Sequence, residues 1–381
     1  MNMFWFHLCL LFQIVCYHVV LAENNETCVT PDEHKGKCVL MDDCASLSAL
    51  RKKRPISLIN TNFLILSICG SQGKIPKVCC RTEIAKTETD DVLHSSNPNL
   101  LPSTRECGVD LGKKIFGGHD VDLDEFPWLA LLLYELPNGR QSFRCGGVLI
   151  NDRYVLTAAH CLKENKRQQI WKLKSVRLGE YNKDSDEDCT SNGFNTVCLP
   201  IPPIDVNIEE EIINEKYDPK DKNLKHDIAL LRLETKVSYT DYVRPICLPT
   251  LLEERKKTYN GMILTVAGWG QTENRSSSSV KLKVSIPVMK HSDCKALFSE
   301  ARKVISDEQI CAGGEEENKI SCRGDSGGPL MSISVDENGD SNWYLAGIVS
   351  YGPVPCGVKD WPAVYTRVSK YMGWILKHMK P

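Results

Sequence analysis

The chain has 381 residues, with 47 Lys and Arg against 49 Asp and Glu, a formal charge of −2 at pH 7. That length exceeds the ~100–200 residues of a usual single domain, and the balanced charge excludes an overall basic field for nucleic acid. Hydrophobic residues at 42% and charged residues at 25% allow a sizeable core and exclude wholesale disorder. Eighteen cysteines point away from the cytosol, to a compartment where thiols are oxidised.

Residues 1–22 are almost wholly apolar and end with Val20 and Ala22, small enough for a signal peptidase, so a signal peptide cut after Ala22 and a secreted, extracellular chain with no membrane anchor are predicted. The cut removes Cys9 and Cys16, leaving an even number of cysteines to pair. Residues 23–81 form a small unit holding Cys28, Cys38, Cys44, Cys69, Cys79 and Cys80. Its core is too small to be stable alone, and three disulfides would supply the missing constraint. Sequence alone does not choose their pairing, except that the adjacent Cys79 and Cys80 must reach different partners. The stretch lacks the CxxC pairs and spaced histidines of a zinc cluster. Its basic run, Arg51–Lys52–Lys53–Arg54, reads as a solvated loop.

Residues 82–114, rich in Ser, Thr, Asn and Pro, read as a linker and activation segment. From Ile115 to Pro381 short β-branched and aromatic runs such as Ile263–Leu264–Thr265–Val266–Ala267 are punctuated by Gly, Pro and Asn, the pattern of an all-β barrel or sandwich. The tail from Tyr371 to Leu376 has apolar residues at helical spacing and predicts a terminal helix. Asn25 and Asn274 head glycosylation sequons.

Three separated segments carry the chemistry. Ser326 lies in Gly324–Asp325–Ser326–Gly327–Gly328–Pro329, His160 in Thr157–Ala158–Ala159–His160–Cys161, and Asp227 in His226–Asp227–Ile228–Ala229–Leu230–Leu231. A serine hydroxyl is a poor nucleophile at neutral pH; it needs an imidazole to take its proton and a carboxylate to fix the imidazole's tautomer. The amides of Gly324 and Ser326 could bind the oxyanion that forms on the attacked carbonyl.

On these motifs, in the order His160, Asp227, Ser326, residues 115–381 resemble the chymotrypsin-like serine proteases. The resemblance implies two packed six-stranded antiparallel barrels, a crevice between them for the site, and serine endopeptidase activity. It also implies a zymogen cut between Lys114 and Ile115, whose new ammonium would pair with Asp325. The specificity pocket would be lined by positions matching Ser350, Gly352, Ala363 and Ile320. Trypsin-like members have an aspartate where this chain has Ile320, six residues before Ser326, which predicts cleavage after apolar residues. The resemblance further implies the bridges Cys145–Cys161, Cys294–Cys311, Cys322–Cys356 and Cys107–Cys247.

The N-terminal unit, ending in Lys77–Val78–Cys79–Cys80, resembles the clip domain of arthropod haemolymph proteases. That likeness implies Cys28–Cys79, Cys38–Cys69 and Cys44–Cys80, and leaves Cys189 and Cys198 for an extra bridge. It implies a cascade such as melanisation or Toll signalling in innate immunity, with other zymogens as protein substrates, an upstream trypsin-like activating protease and serpin-type inhibitors as partners. The acidic stretch from Glu180 to Glu211 reads as a solvated loop and no cofactor is assigned, although Glu180 matches a calcium ligand of related proteases. Two other readings are a catalytically silent homologue acting as a binding cofactor, which the presence of Ser326 disfavours, and a venom or seminal protease.

Overall fold

The structure, a computed structural model, describes residues 27–54, 56, 58–82, 100–109, 121–163, 171–185, 187–191, 196–271, 277–315, 324–336 and 338–381. The signal peptide, the sequons at Asn25 and Asn274, the activation pair Lys114 and Ile115, Ile320 and Cys322 lie outside the described residues.

The N-terminal unit is a four-stranded antiparallel sheet of β1 (Thr27–Val29), β2 (Lys35–Leu40), β3 (Ile68–Gln72) and β4 (Ile75–Arg81) in the order β1-β2-β4-β3. Two helices sit between β2 and β3: α1 (Ala45–Lys52) and α2 (Leu58–Leu66). The basic run is not the solvated loop predicted. Arg51 and Lys52 finish α1, where cations favour the exposed carbonyl end, and Arg51 and Lys53 pair with Asp42 and Asp340. Three bridges hold the unit, Cys28–Cys79, Cys38–Cys69 and Cys44–Cys80.

Next comes a closed antiparallel barrel of β5 (Leu129–Glu135), β6 (Gln141–Leu149), β7 (Tyr154–Thr157), β8 (Lys172–Leu178), β11 (Ile204–Ile213) and β12 (Ala229–Leu233). Its order is β11-β12-β7-β6-β5-β8. β5 reads Leu-Ala-Leu-Leu-Leu-Tyr and is buried along its length, whereas β11 alternates apolar and acidic residues because one face meets water. A hairpin of β9 (Cys189–Ser191) and β10 (Thr196–Cys198), bridged by Cys189–Cys198, rides on the outside.

After α3 (Leu252–Lys256) the second sheet forms from β13 (Ile263–Gly268), β14 (Leu282–Pro287), β15 (Gln309–Ala312), β16 (Pro329–Val335), β17 (Ser341–Tyr351) and β18 (Ala363–Arg367), in the order β14-β13-β16-β17-β18-β15. It is a sheet whose ends nearly meet, short of a full barrel ladder: a single bridge, Val288 to Ala312, links the chain after β14 to β15. α4 (His291–Glu300) is tied to β15 by Cys294–Cys311, and α5 (Met372–His378) packs Met372 and Ile375 into the core. One apolar cluster runs from Trp128, Leu132 and Leu156 of the first barrel to Met331, Trp343 and Ile348 of the second sheet, which fixes the crevice between them.

The predicted linker is shorter than its sequence suggests, because residues 100–109 are pinned to the second unit. Leu100 is buried and its carbonyl accepts from Asn151 Nδ2, Asn342 Nδ2 donates to the carbonyls of Thr104 and Cys107, and Cys107 is bonded to Cys247. The N-terminal unit also docks directly on the second sheet. Val335 completes its small core of Met41, Leu47, Leu50, Phe63 and Val78, and Glu33 accepts from both the amide and the hydroxyl of Thr258.

Candidate active site

His160 sits on a 3-10 turn just after β7, Asp227 lies two residues before β12, and Ser326 three residues before β16. β7 and β12 pair, with Ala229 opposite Thr157, and this register brings His160 to Asp227. His160 Nδ1 lies 2.8 Å from Asp227 Oδ2, and the His160 amide donates to Oδ1 at 2.9 Å. With Asp227 accepting at Nδ1, the neutral ring carries its proton there and leaves Nε2 as an acceptor.

Asp227 is fully buried, and burial alone would raise its carboxyl. The His160 charge, together with hydrogen bonds from His160 and the Ser350 hydroxyl, outweighs that penalty and holds it below the ordinary aspartate value. Thr366 Oγ1 donates to the Asp227 carbonyl at 2.8 Å, fixing the backbone as well. Ser350, expected on the substrate wall, therefore turns its side chain to the carboxylate. Neither it nor Thr366 could be assigned this role from sequence, because both come from strands more than a hundred residues away from Asp227.

Ser326 is half-buried, and its carbonyl accepts from the Gly146 amide at 2.7 Å. Cys161 Sγ, bonded to Cys145, lies 3.8 Å from both His160 Nε2 and the Ser326 carbonyl, so one sulfur atom neighbours the imidazole and the serine's backbone. Cys145, His160 and Cys161 have the closeness of a metal site, but the two sulfurs are bonded to each other and offer no thiolate. Gly324 has φ +99°, a backbone shape that side chains resist. Among the described residues the Gly324 and Ser326 amides donate to no protein acceptor, which leaves both available to a substrate oxygen.

Asp325 packs its carboxylate against Gly268 and Gly270. Its Oδ1 accepts from the Gly270 amide at 2.9 Å, and a Cβ on Gly270 would lie 2.2 Å from Oδ2, so only glycine admits the carboxylate there. Gly352 is exposed at the end of β17 and Ala363 is buried at the start of β18.

The acidic stretch is not simply solvated. Glu180 and Asp188 are buried because their carboxylates bind the chain itself: Asp188 accepts from the amides of Tyr181 and Asn182, and Glu180 from Tyr181 N and Arg177 Nη1. Burial, then the Asp188 charge, push the Glu180 carboxyl up. These oxygens face N–H donors, an arrangement that does not fit a cage of six to eight oxygens around calcium. Seven bridges join Cys28–Cys79, Cys38–Cys69, Cys44–Cys80, Cys107–Cys247, Cys145–Cys161, Cys189–Cys198 and Cys294–Cys311; Cys356 is disulfide-bonded as well.

A closed barrel and a sheet that meet at a buried Asp–His pair beside a serine loop define a chymotrypsin-like serine protease, and the family model for trypsin matches residues 115–375. The model for the regulatory CLIP domain of proteinases matches residues 28–80. The chain is 42% identical to CLIP domain-containing serine protease HP8 of Bombyx mori, over 96% of this chain and 97% of that one. It is 38% identical to Melanization protease 1 of Drosophila melanogaster, over 93% of each. The crystal structure of the Drosophila Grass clip serine protease of the Toll pathway superposes with a TM-score of 0.61 at 33% identity, covering 92% of this chain and 96% of that one. This chain belongs to the clip-domain serine proteases and is a serine endopeptidase of the kind found in insect melanisation and Toll cascades. Among the described residues, no helix is long and apolar enough to cross a membrane.

Proposed function

We propose that this protein is a secreted zymogen, activated by a cut between Lys114 and Ile115, that hydrolyses protein substrates in an extracellular cascade. The observation that carries the reading is the 2.8 Å contact between His160 Nδ1 and the buried Asp227, which leaves Nε2 as the base toward Ser326. Ser326 Oγ attacks the scissile carbonyl as His160 takes its proton, and the protonated ring then hands that proton to the leaving amine. The amides of Gly324 and Ser326 stabilise the oxyanion. Before cleavage the Ile115 ammonium does not exist, and the charge it would bring to Asp325 arrives only with the cut. After cleavage Cys107–Cys247 keeps the two pieces joined. Other zymogens are the substrates, a protease that accepts a basic residue is the activator, and serpin-type inhibitors end the activity.

Specificity follows from Ile320. A Lys or Arg side chain in a pocket with an isoleucine in place of aspartate would be a buried unpaired charge, at a cost of ~3–5 kcal/mol. An apolar side chain of medium size gains ~1.5–3 kcal/mol on burial. The activated enzyme should therefore turn over peptides ending in Leu or Phe before the leaving group faster than the matched Arg peptide, and Ile320→Asp should shift preference toward Arg. Faster turnover of the Arg peptide by the unaltered enzyme contradicts the specificity reading.

A further inference from the structure

β17 runs past the serine loop, with the Val349 carbonyl accepting from the Gly327 amide and the Val349 amide donating to the Gly328 carbonyl across one edge. On its other edge Tyr351 pairs with Val364. Beyond Val349 no described residue pairs with the first edge, next to Ser326, and an extended substrate segment could join it as an added strand. Such a segment, running back from the scissile bond at ~3.3 Å per residue, passes over Tyr351, the neighbour of the Ser350 that holds Asp227.

Tyr351 is half-buried, with Phe298 of α4 against it edge-on at 6.3 Å and Trp361 on the far side of Phe298 at 5.4 Å. Lys303 closes this aromatic recess, its Nζ 4.0 Å from the Tyr351 ring centre. Its backbone is set by a bond from its amide to the Phe298 carbonyl. The next amide, of Val304, donates to Asn223 Oδ1 at 2.8 Å, which ties this turn to the loop leading into Asp227. Lys303 is thus a cation held on the ring of Tyr351, the residue that follows Ser350 on β17.

No carboxylate among the described residues is within ion-pair distance of Lys303. Burial pushes its ammonium below the usual lysine value. Asp221, the acid whose charge reaches Tyr351, spends its oxygens on the amides of Asn223 and Lys225 and on Asn223 Nδ2. A half-buried cation held on an aromatic ring, with no anion beside it among the described residues, is a site for one.

We propose that Lys303 is a specificity-determining residue that selects substrates carrying an acidic side chain two to four residues before the scissile bond. The proposal rests on the endopeptidase reading and deepens it, naming an acidic motif upstream of the cut. Because Lys303 lies away from the reacting atoms, its effect falls mainly on KM, with little change in kcat.

The test is a set of peptides with one cleavable bond in which Glu or Gln stands at each of the three positions in turn, assayed with activated enzyme and with the Lys303→Gln, Lys303→Arg and Lys303→Glu variants. At one position Glu should outperform Gln by roughly fivefold to tenfold in kcat/KM, through KM, and the ratio should shrink at high salt. Lys303→Gln should bring that ratio to about one while Gln peptides are cleaved as before. Lys303→Arg should keep it and Lys303→Glu should reverse it. Equal turnover of Glu and Gln peptides at all three positions, or a preference that survives Lys303→Gln, overturns the proposal while leaving the endopeptidase reading intact. Failure to cleave any peptide overturns that reading, and the proposal with it.

Discussion

Ser350 Oγ donates its hydrogen to Asp227 Oδ2, the oxygen that also faces His160 Nδ1. Asp227 thereby receives His160 and Ser350 at one oxygen and the His160 amide at the other, which suits a carboxylate that must stay ionised in a buried site. Ser350→Ala removes one donor to a charged group. It should lower kcat by on the order of tenfold with little change in KM, since the carboxylate orients His160 and does not touch substrate. Steady-state kinetics on one peptide decide it; an unchanged kcat means that Ser350 is dispensable to Asp227.

The two units are joined by a buried charge cluster. Lys257 Nζ lies 2.8 Å from Glu254 Oε2 with both side chains almost fully buried, and His34 and Asp32 of the clip unit face the same group across Ser334. Burial raises Asp32, but the His34 hydrogen bond and the Lys257 charge outweigh it and hold that carboxyl well below its usual value. Lys257→Met leaves Glu254 buried without its cation and should cost ~3–5 kcal/mol, whereas Lys257→Met with Glu254→Met should recover most of it. Denaturant midpoints of the two variants check this; equal destabilisation of the single and double variants would contradict it.

Lys281 is buried under the segment that follows the activation region, where its ammonium donates to the carbonyls of Leu123 and Glu125. Burial brings its pKa down to about 8 from 10.5, against the pull of Glu125 and Asp124. Since the folded value is the lower one, the unfolded chain binds more protons between about pH 8 and 10.5, and this residue's contribution to stability rises with pH through that window. The cost is fully present below about pH 8. The stability of the protein relative to Lys281→Met should therefore improve by on the order of 3 kcal/mol between those pH values. A gap that stays flat across the window would contradict the burial argument.

The approach of His160 to Asp227 was legible because each sits in a short motif whose chemistry is written locally. Ser350 and Thr366 were not, since their roles arise only when β17 and β18 fold against the turn carrying Asp227. The clip helices were missed for a different reason. α2 reads Leu-Ile-Asn-Thr-Asn-Phe-Leu-Ile-Leu, apolar at both ends with little periodicity, so its helical face is chosen by tertiary packing on α1 and Val78. Glu180 and Asp188 looked solvated because composition does not reveal that their carboxylates cap their own loop. The docking of the clip unit on Val335 and Thr258 joins residues far apart in sequence, a kind of contact that no local pattern encodes.

The central claim is that Ser326 is the nucleophile of an enzyme switched on by the cut between Lys114 and Ile115. Covalent labelling by an active-site fluorophosphonate, followed on the intact and the cleaved chain and mapped to the modified residue, tests it most directly. Labelling of Ser326 should be rapid after cleavage, slow or absent before it, and absent in Ser326→Ala, whose kcat should fall by on the order of 10⁴ or more as triad deletions do in this class of enzyme. Equal labelling of the uncut chain would contradict the switch, and labelling that persists in Ser326→Ala would contradict the nucleophile.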